Sequence, residues 1–315
     1  MNQILSLPDQ RPDPLSGLFA SYIRTLRAEN KSPRTIDTYT EAMNRLVRFG
    51  TAQGWPTADP AEATREQIRA LMKNLVETRS AGTAAVTFRA LVSFYKWTIN
   101  EGEMETSPMA GMKVPKIVDK QVPIVSPADL KRLLATCKTK AGATWFTMFT
   151  DRRDLALLMV LIGSGLRRAE VAGMTLDGIN LDEGKLTVLG KGNKVRTAYI
   201  GAATISAIDR YLRLRDKHPQ HRLPNLWLGN RGAVSNSGVT AFLTQRTAQA
   251  GLSHIHPHQL RHTWAHQYLL AGGEEGDLMA AAGWSSPAML RRYGASGRNV
   301  RAAQAHRKLD LVDRL

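Results

Sequence analysis

The sequence predicts a mainly α-helical chain of two domains with a small β-sheet in the second, on three observations. Apolar residues recur at helical spacing in four segments between Leu15 and about Glu101. The stretch EGEMETSPMAGMKVPKIVDKQVPIV, with Pro108, Pro115 and Pro123 and no helical period, then interrupts the pattern near 105–124. Beyond it, two short β-type runs, GKLTVLG and KVRTAYI, are joined in hairpin fashion through Lys191-Gly192-Asn193 within otherwise helical sequence. A chain of 315 residues is long enough for about two domains, each with its own core.

The first helical stripe is Leu18, Tyr22, Ile23 and Leu26, ending near the NKSP turn. Pro33 opens the second segment at a position helices favour, with Ile36, Tyr39, Met43, Leu46 and Phe49 on one face. The third, ATREQIRALMKNLVETR, aligns Ile68, Leu71, Met72 and Leu75. In the fourth, AGTAAVTFRALVSFYKWTINEG, the stripe is Val86, Leu91, Phe94 and Trp97, with Gly102 past its end. These boundaries divide the chain into an N-terminal arm (1–14), a helical domain (15–105), an extended linker (106–124), a second domain (125–297) and a C-terminal segment (298–315). In the second domain, Ser126 is placed to cap a helix that starts at Pro127. The run DRRDLALLMVLIGSG is too apolar to be exposed and stops at Gly163 and Gly165. From Ala202 onward the pattern is mainly helical, and no tandem repeat occurs.

Composition narrows the function. With 43% hydrophobic and 22% charged residues the chain reads as globular, not disordered. The 43 Lys and Arg outnumber the 27 Asp and Glu, for a net charge of +16, and residues 121–315 hold 27 of the cations against 14 acids. Such an excess calls for an anionic partner, a long polyanion first of all. No apolar run reaches the ~18 residues of a membrane span, and the N-terminus lacks the basic start and apolar run of a secretory signal. Cys137 is the single cysteine, so no intrachain disulfide forms and a reducing cytoplasm is the expected compartment. Cys137 itself reads as a small packing residue.

Four separated elements carry chemistry: GSGLRRAEV (163–171), LGKGNKVR (189–196), HPHQLRHTWA (256–265) and AGWSSPAMLRRYGAS (282–296). Their order and spacing resemble the tyrosine recombinase (phage integrase) family, with the two-domain organisation of its Xer-like members. SPRTIDTYTEAMNRL and LVSFYKWTINEG are similar to the family's helical core-binding domain, so the resemblance covers about residues 15–300. It implies a helical core DNA-binding domain followed by an α+β catalytic domain. The implied catalytic residues are Arg167, Lys191, His258, Arg261, Trp284 and Tyr293, supported by Glu170. No cofactor is implied.

The implied reaction suits these residue types. Cutting a phosphodiester by in-line displacement needs a nucleophile, neutralisation of a pentacoordinate phosphorane and a proton for the departing 5′-oxygen. Two guanidiniums, Arg167 and Arg261, can grip non-bridging oxygens bidentately, as a Lys point charge cannot. By the resemblance, Tyr293 attacks and keeps the 3′-phosphate, Lys191 on the hairpin is the general acid, and His258 exchanges a proton with Tyr293. Lys194 competes with Lys191 for that role; Lys191 takes the first Lys position of the GKGxK hairpin. Trp284 stands where many members have His, and its indole can donate a hydrogen bond but not a proton. Glu170 is expected to orient an arginine or another local donor and not to act as a base.

Taken one at a time, these residues have ordinary alternatives: surface ion pairs for Arg167 and Arg168, a solvated turn for Lys191, core packing for Trp284 and Tyr293. An accidental origin must instead reproduce the whole ordered pattern. His254, His256, His258, His262 and His266 invite a metal reading, but HxxxHxxxH lacks the Glu of a metalloprotease helix, and no metal is expected. His262 is expected to be a buried structural residue.

The expected partner is duplex DNA with a specific site, bound by a homo-oligomer, a tetramer on two sites. Candidate DNA contacts are Lys31, Arg34, Arg89 and Lys96 in the first domain, and Arg168, Lys194, Arg231, Arg246, Arg291 and Arg292 in the second, with Arg196 among the basic residues near the site. The C-terminal segment is expected to dock on a neighbouring protomer. With a roughly 14-residue arm before the first helix, the arm-site domain of lambda-type integrases is not expected. Relaxation of DNA in the manner of a type IB topoisomerase, and a DNA-binding regulator with a vestigial site, are the competing functions.

Overall fold

A computed structural model describes residues 17–56, 59–117, 122–190, 195–284 and, singly, 286, 290, 302 and 306. The chain divides into two compact units, 1–120 and 121–315.

Among the described residues of the first unit four α-helices form: α1 (Leu18–Ala28), α2 (Pro33–Ala52), α3 (Arg65–Thr78) and α4 (Ala81–Asn100). Local capping explains where they start. The side chains of Ser32, Thr64 and Ser80 each accept a backbone N–H from the first turn of α2, α3 and α4, and Gln67 returns the bond to Thr64 in a capping box. Phe19, Tyr22, Met43, Leu46, Ile68, Leu71, Leu91 and Phe94 fill the core. Its two deep tyrosines keep their hydroxyls satisfied: Tyr22 donates to Ser93 Oγ and Tyr95 to the Pro60 carbonyl, each at 2.7 Å. Val86 departs from the expected stripe and is exposed. The buried face of α4 runs through Ala84, Phe88, Leu91 and Tyr95, a four-three-four spacing that leaves position 86 on the outer side. Met109, expected in the linker, is buried in this unit's core.

The second unit contains α5 (Pro127–Ala135), α6 (Trp145–Gly163), α7 (Arg168–Ala172), β1 (Ile179–Asn180), β2 (Lys185–Leu189), β3 (Val195–Tyr199), α8 (Ala202–Arg215), β4 (Leu228–Gly229), β5 (Gly232–Ala233), α9 (Asn236–Gln249), α10 (Pro257–Leu270) and α11 (Glu275–Ala282). Strands β1, β2 and β3 make an antiparallel sheet in that order, with Leu186 opposite Ala198 and Val188 opposite Arg196. Alternation turns Leu186, Val188 and Ala198 inward and leaves Leu189, Val195 and Tyr199 exposed. Helix α6 is the core's axis: Leu157, Val160 and Leu161 are buried along with Ile208 and Tyr211 of α8 and Leu260 of α10. The small β4–β5 hairpin interrupts a region expected to be helical.

Two buried arginines hold this unit together. Arg215, 1% exposed, donates to the carbonyls of His221, Leu223, Asn225 and Leu226, satisfying a loop that folds back on α8. Arg246, expected to contact DNA, is instead 5% exposed. Its Nε donates to Asp154 Oδ2 at 2.9 Å, its Nη2 to Asp151 Oδ1 at 2.8 Å and its Nη1 to the Thr136 carbonyl at 2.7 Å. Two carboxylates on the apolar helix α6 require cations: Arg246 of α9 pairs with both, and Arg153 of α6 also donates to Asp154. Cys137, just past α5, is buried beside this group, and burial pushes its thiol up to about 11. Among the described residues no helix is long and apolar enough to cross a membrane.

Candidate active site

The site begins where α6 stops. Gly165 has φ +61°, and a Cβ there would sit 2.2 Å from the Trp264 ring, so only glycine makes this turn. The turn delivers Leu166 to the core and Arg167 to the N-cap position of α7. Glu170, one turn on, reaches back: its Oε2 accepts the Arg167 backbone N–H at 2.6 Å and its Oε1 accepts Arg167 Nη1 at 2.7 Å.

Arg196 arrives at the same carboxylate from β3. Its Nε donates to Glu170 Oε1 at 3.2 Å and its Nη2 to Oε2 at 2.6 Å, so one buried acid holds two guanidiniums. Burial alone would raise the Glu170 carboxyl, but the donors from Arg196 and Arg167 prevail and hold it below the usual glutamate range.

The third arginine comes from α10. His256 precedes this helix, Pro257 occupies its first position and His258 its exposed first turn. Arg261, one turn later, is 2% exposed and donates to the carbonyls of Gly165 and of Ala282, the latter at 2.7 Å. Its guanidinium lies 5.5 Å from the centre of the Trp284 ring. Trp284 is buried with Ala265, Leu269, Leu278 and Ala282, so it packs and contacts Arg261 at once.

The end of α11 links all three arginines. Gly283, at φ +62°, closes the helix in a Schellman motif: its N–H bonds to the Ala280 carbonyl and the Trp284 N–H to that of Met279. The next three carbonyls are taken by guanidiniums, Ala281 by Arg196 at 2.6 Å, Ala282 by Arg261 and Gly283 by Arg167 at 3.0 Å. The negative end of the helix dipole therefore faces three cations.

Arg167, Arg168, Thr240, His258 and Arg261 line one cleft of about 390 Å³. Arg168 donates to Thr240 Oγ1 at 2.7 Å across it. The His258 ring meets buried His262 edge-on at 5.1 Å, while His254 and His256 hydrogen-bond each other at 3.0 Å. Among the described residues no group of three or more His, Cys, Asp or Glu is placed to hold a metal.

The structure thus brings Arg167, Glu170, His258, Arg261 and Trp284 together. Lys191, Lys194, Arg291, Arg292 and Tyr293 lie outside the described residues. Lys31, Arg34, Arg89 and Lys96 are exposed on the first unit, and Arg231 is exposed between β4 and β5. The sequence places Arg196 among the basic residues near the site but does not show its pairing with Glu170. The signal was its parity: in VRTAYI it shares the inward face with Ala198 and Ile200, and an inward arginine needs an acid.

Residues 124–299 match the Phage integrase family, and residues 18–102 match the Phage integrase, N-terminal SAM-like domain. The chain belongs to the phage integrase family. Tyrosine recombinase XerC of Escherichia coli O157:H7 (strain EC4115 / EHEC) is 30% identical to this family member over 259 residues, covering 80% of this chain and 83% of the relative. The XerC of Shigella flexneri is 29% identical with the same coverage. Among solved structures, the XerH site-specific recombinase bound to palindromic difH substrate, in a post-cleavage complex, superimposes with a TM-score of 0.68 at 17% identity, covering 91% of this chain and 84% of that one. A lambda integrase (75–356) dimer bound to a COC′ core site gives 0.65 at 16% identity, covering 86% and 95%. These two share the fold. Family membership makes the chain an enzyme of DNA strand breakage and rejoining.

Proposed function

We propose that the chain is a site-specific recombinase that cuts and rejoins duplex DNA through a 3′-phosphotyrosyl intermediate on Tyr293. The observation that carries this reading is the single cleft lined by Arg167, His258 and Arg261. The two guanidiniums neutralise the non-bridging oxygens of the scissile phosphate. The Tyr293 oxygen attacks phosphorus and its proton passes to His258. The bond to the 5′-oxygen breaks, and Lys191 protonates that oxygen. Rejoining runs the same steps in reverse with a 5′-hydroxyl as nucleophile, so the bond energy is conserved. Trp284 holds Arg261 in place by packing, and Glu170 orients Arg167.

Exposed Lys31, Arg34, Arg89, Lys96, Arg168 and Arg231, with Lys194, Arg291 and Arg292, supply phosphate contacts. The protein works in the cytoplasm as a tetramer on two DNA sites, with residues 298–315 docking on a neighbouring protomer. The test starts from a duplex recovered out of a random-sequence pool by binding to the wild-type chain. A nicked suicide form of that duplex, incubated in EDTA, is expected to trap a covalent adduct that Tyr293→Phe abolishes and Arg261→Ala slows by about 100-fold or more. No adduct, or an adduct that survives in the Phe variant, overturns the mechanism.

A further inference from the structure

We propose that Arg196 is a positioning residue that offsets the charge of Glu170, so that Arg167 presents its own charge to the scissile phosphate. The inference rests on the reaction proposed above.

Glu170 accepts four hydrogen bonds, two from Arg167 and two from Arg196. The acid is 3% exposed, Arg196 14% and Arg167 39%, so the inner part of this trio is shielded from water and its outermost cation lines the cleft. Formally the trio carries +1. Without Arg196 it would carry zero, since the only cation left on the buried carboxylate would be Arg167, and a low-dielectric setting makes that loss felt at the cleft. Geometry acts in the same direction. With Arg196 forked across both oxygens, the Arg167 guanidinium meets Glu170 through one nitrogen and the Gly283 carbonyl through another. With Arg196 gone, both oxygens would be open to Arg167 for a two-point pair that draws it off the cleft. Arg196 also fixes the third partner, because its Nη1 caps Ala281 two residues from Gly283. The Gly283 backbone leaves it room: a Cβ there would lie 3.1 Å from Arg196 Cδ.

The decisive experiment is a charge rescue, read as the single-turnover rate of adduct formation at saturating suicide duplex, with duplex affinity and thermal melting measured in parallel. Arg196→Gln is expected to slow adduct formation by about 10–100-fold, the scale on which losing a supporting partner acts at other preorganised sites. DNA affinity should change by less than about threefold, because phosphate contacts along the duplex dominate it. Adding Glu170→Gln restores the trio to +1 and keeps an acceptor for the Arg167 N–H. The double variant should therefore react at least about fivefold faster than Arg196→Gln alone, a gain that a purely structural arginine would not produce. Arg196→Lys keeps the charge and should retain most of the rate. A double variant no faster than Arg196→Gln, a Lys variant as slow as the Gln variant, or failure of both single Arg196 variants to fold overturns the positioning role. The wild-type chain distinguishes the two failures: if it forms no Tyr293 adduct the proposed reaction falls, whereas a normal wild-type adduct without rescue removes only the role of Arg196.

Discussion

Arg196 and Glu170 meet as a fork on a carboxylate, Nε to Oε1 at 3.2 Å and Nη2 to Oε2 at 2.6 Å, across 26 residues of chain. The pair joins the sheet to the helix that starts at Arg168, and Arg196 also reaches the last turn of α11. Three elements distant in sequence are thereby tied to one acid, and Arg167, which lines the cleft, is held by it.

Acid stability should report on this carboxylate. A group whose folded pKa is depressed contributes stability above its unfolded value, ~4.3 for Glu, and loses that contribution as pH falls through the folded value. The Glu170 carboxyl is held low by Arg196 and Arg167 against the opposing effect of burial. Urea unfolding of the wild-type chain should therefore weaken from about pH 5 downward, and Glu170→Gln should flatten that limb. At pH 7 the same substitution should cost about 3 kcal/mol, because two guanidiniums lose their acid. An unchanged acid limb in the variant would mean that Glu170 does not control it.

Arg246→Ala should destabilise the second unit without a specific effect on DNA affinity. It leaves buried Asp151 without its cation and Asp154 with Arg153 alone, at a cost of about 3 kcal/mol. Melting curves and filter binding on the still-folded fraction separate the two effects. A variant of normal stability that binds DNA weakly would return Arg246 to the DNA interface.

Gly165→Ala is expected to be among the most damaging single-methyl changes in the chain. The new Cβ would collide with the Trp264 ring, and φ +61° disfavours any L side chain. The turn carries both the Arg261-bound carbonyl and Arg167, so melting temperature and adduct formation should fall together. A folded variant with full activity would show that the turn is not what sets the arginines.

The first unit's helices could be read from the sequence because their stripes and caps agree: Ser32, Thr64 and Ser80 each sit one residue before an amphipathic run. Val86 falls off the buried stripe because α4 is apolar on more than one face, and its alanines, not its valines, mark the buried side. The β4–β5 hairpin has strands of two residues, too short for any alternation. Arg246 and Arg196 show the harder limit. A lone cation in a basic chain reads as a DNA contact, and only its acid, 95 residues away for Arg246 and 26 for Arg196, distinguishes an internal role. The acids were visible, in DRRD and in LRRAE, but pairing them required the fold.

Cys137 offers a test of the second unit's core that is independent of DNA. Its thiol is pushed up to about 11, first by burial, with the nearby Arg246 acting in the opposite sense. At pH 8 the thiolate, the form that reacts, is then roughly one part in a thousand, against about a quarter for a free thiol of pKa 8.5. Alkylation by iodoacetamide should accordingly be slow in the native chain and rise steeply once urea opens the core. Arg246→Ala should accelerate native-state labelling, because exposure through local opening outweighs the loss of a nearby positive charge. Rapid labelling of the folded wild-type chain would place Cys137 at the surface and contradict the packing of this core; labelling in Arg246→Ala that stays as slow as in wild type would show that the Asp151–Arg246–Asp154 group does not secure it.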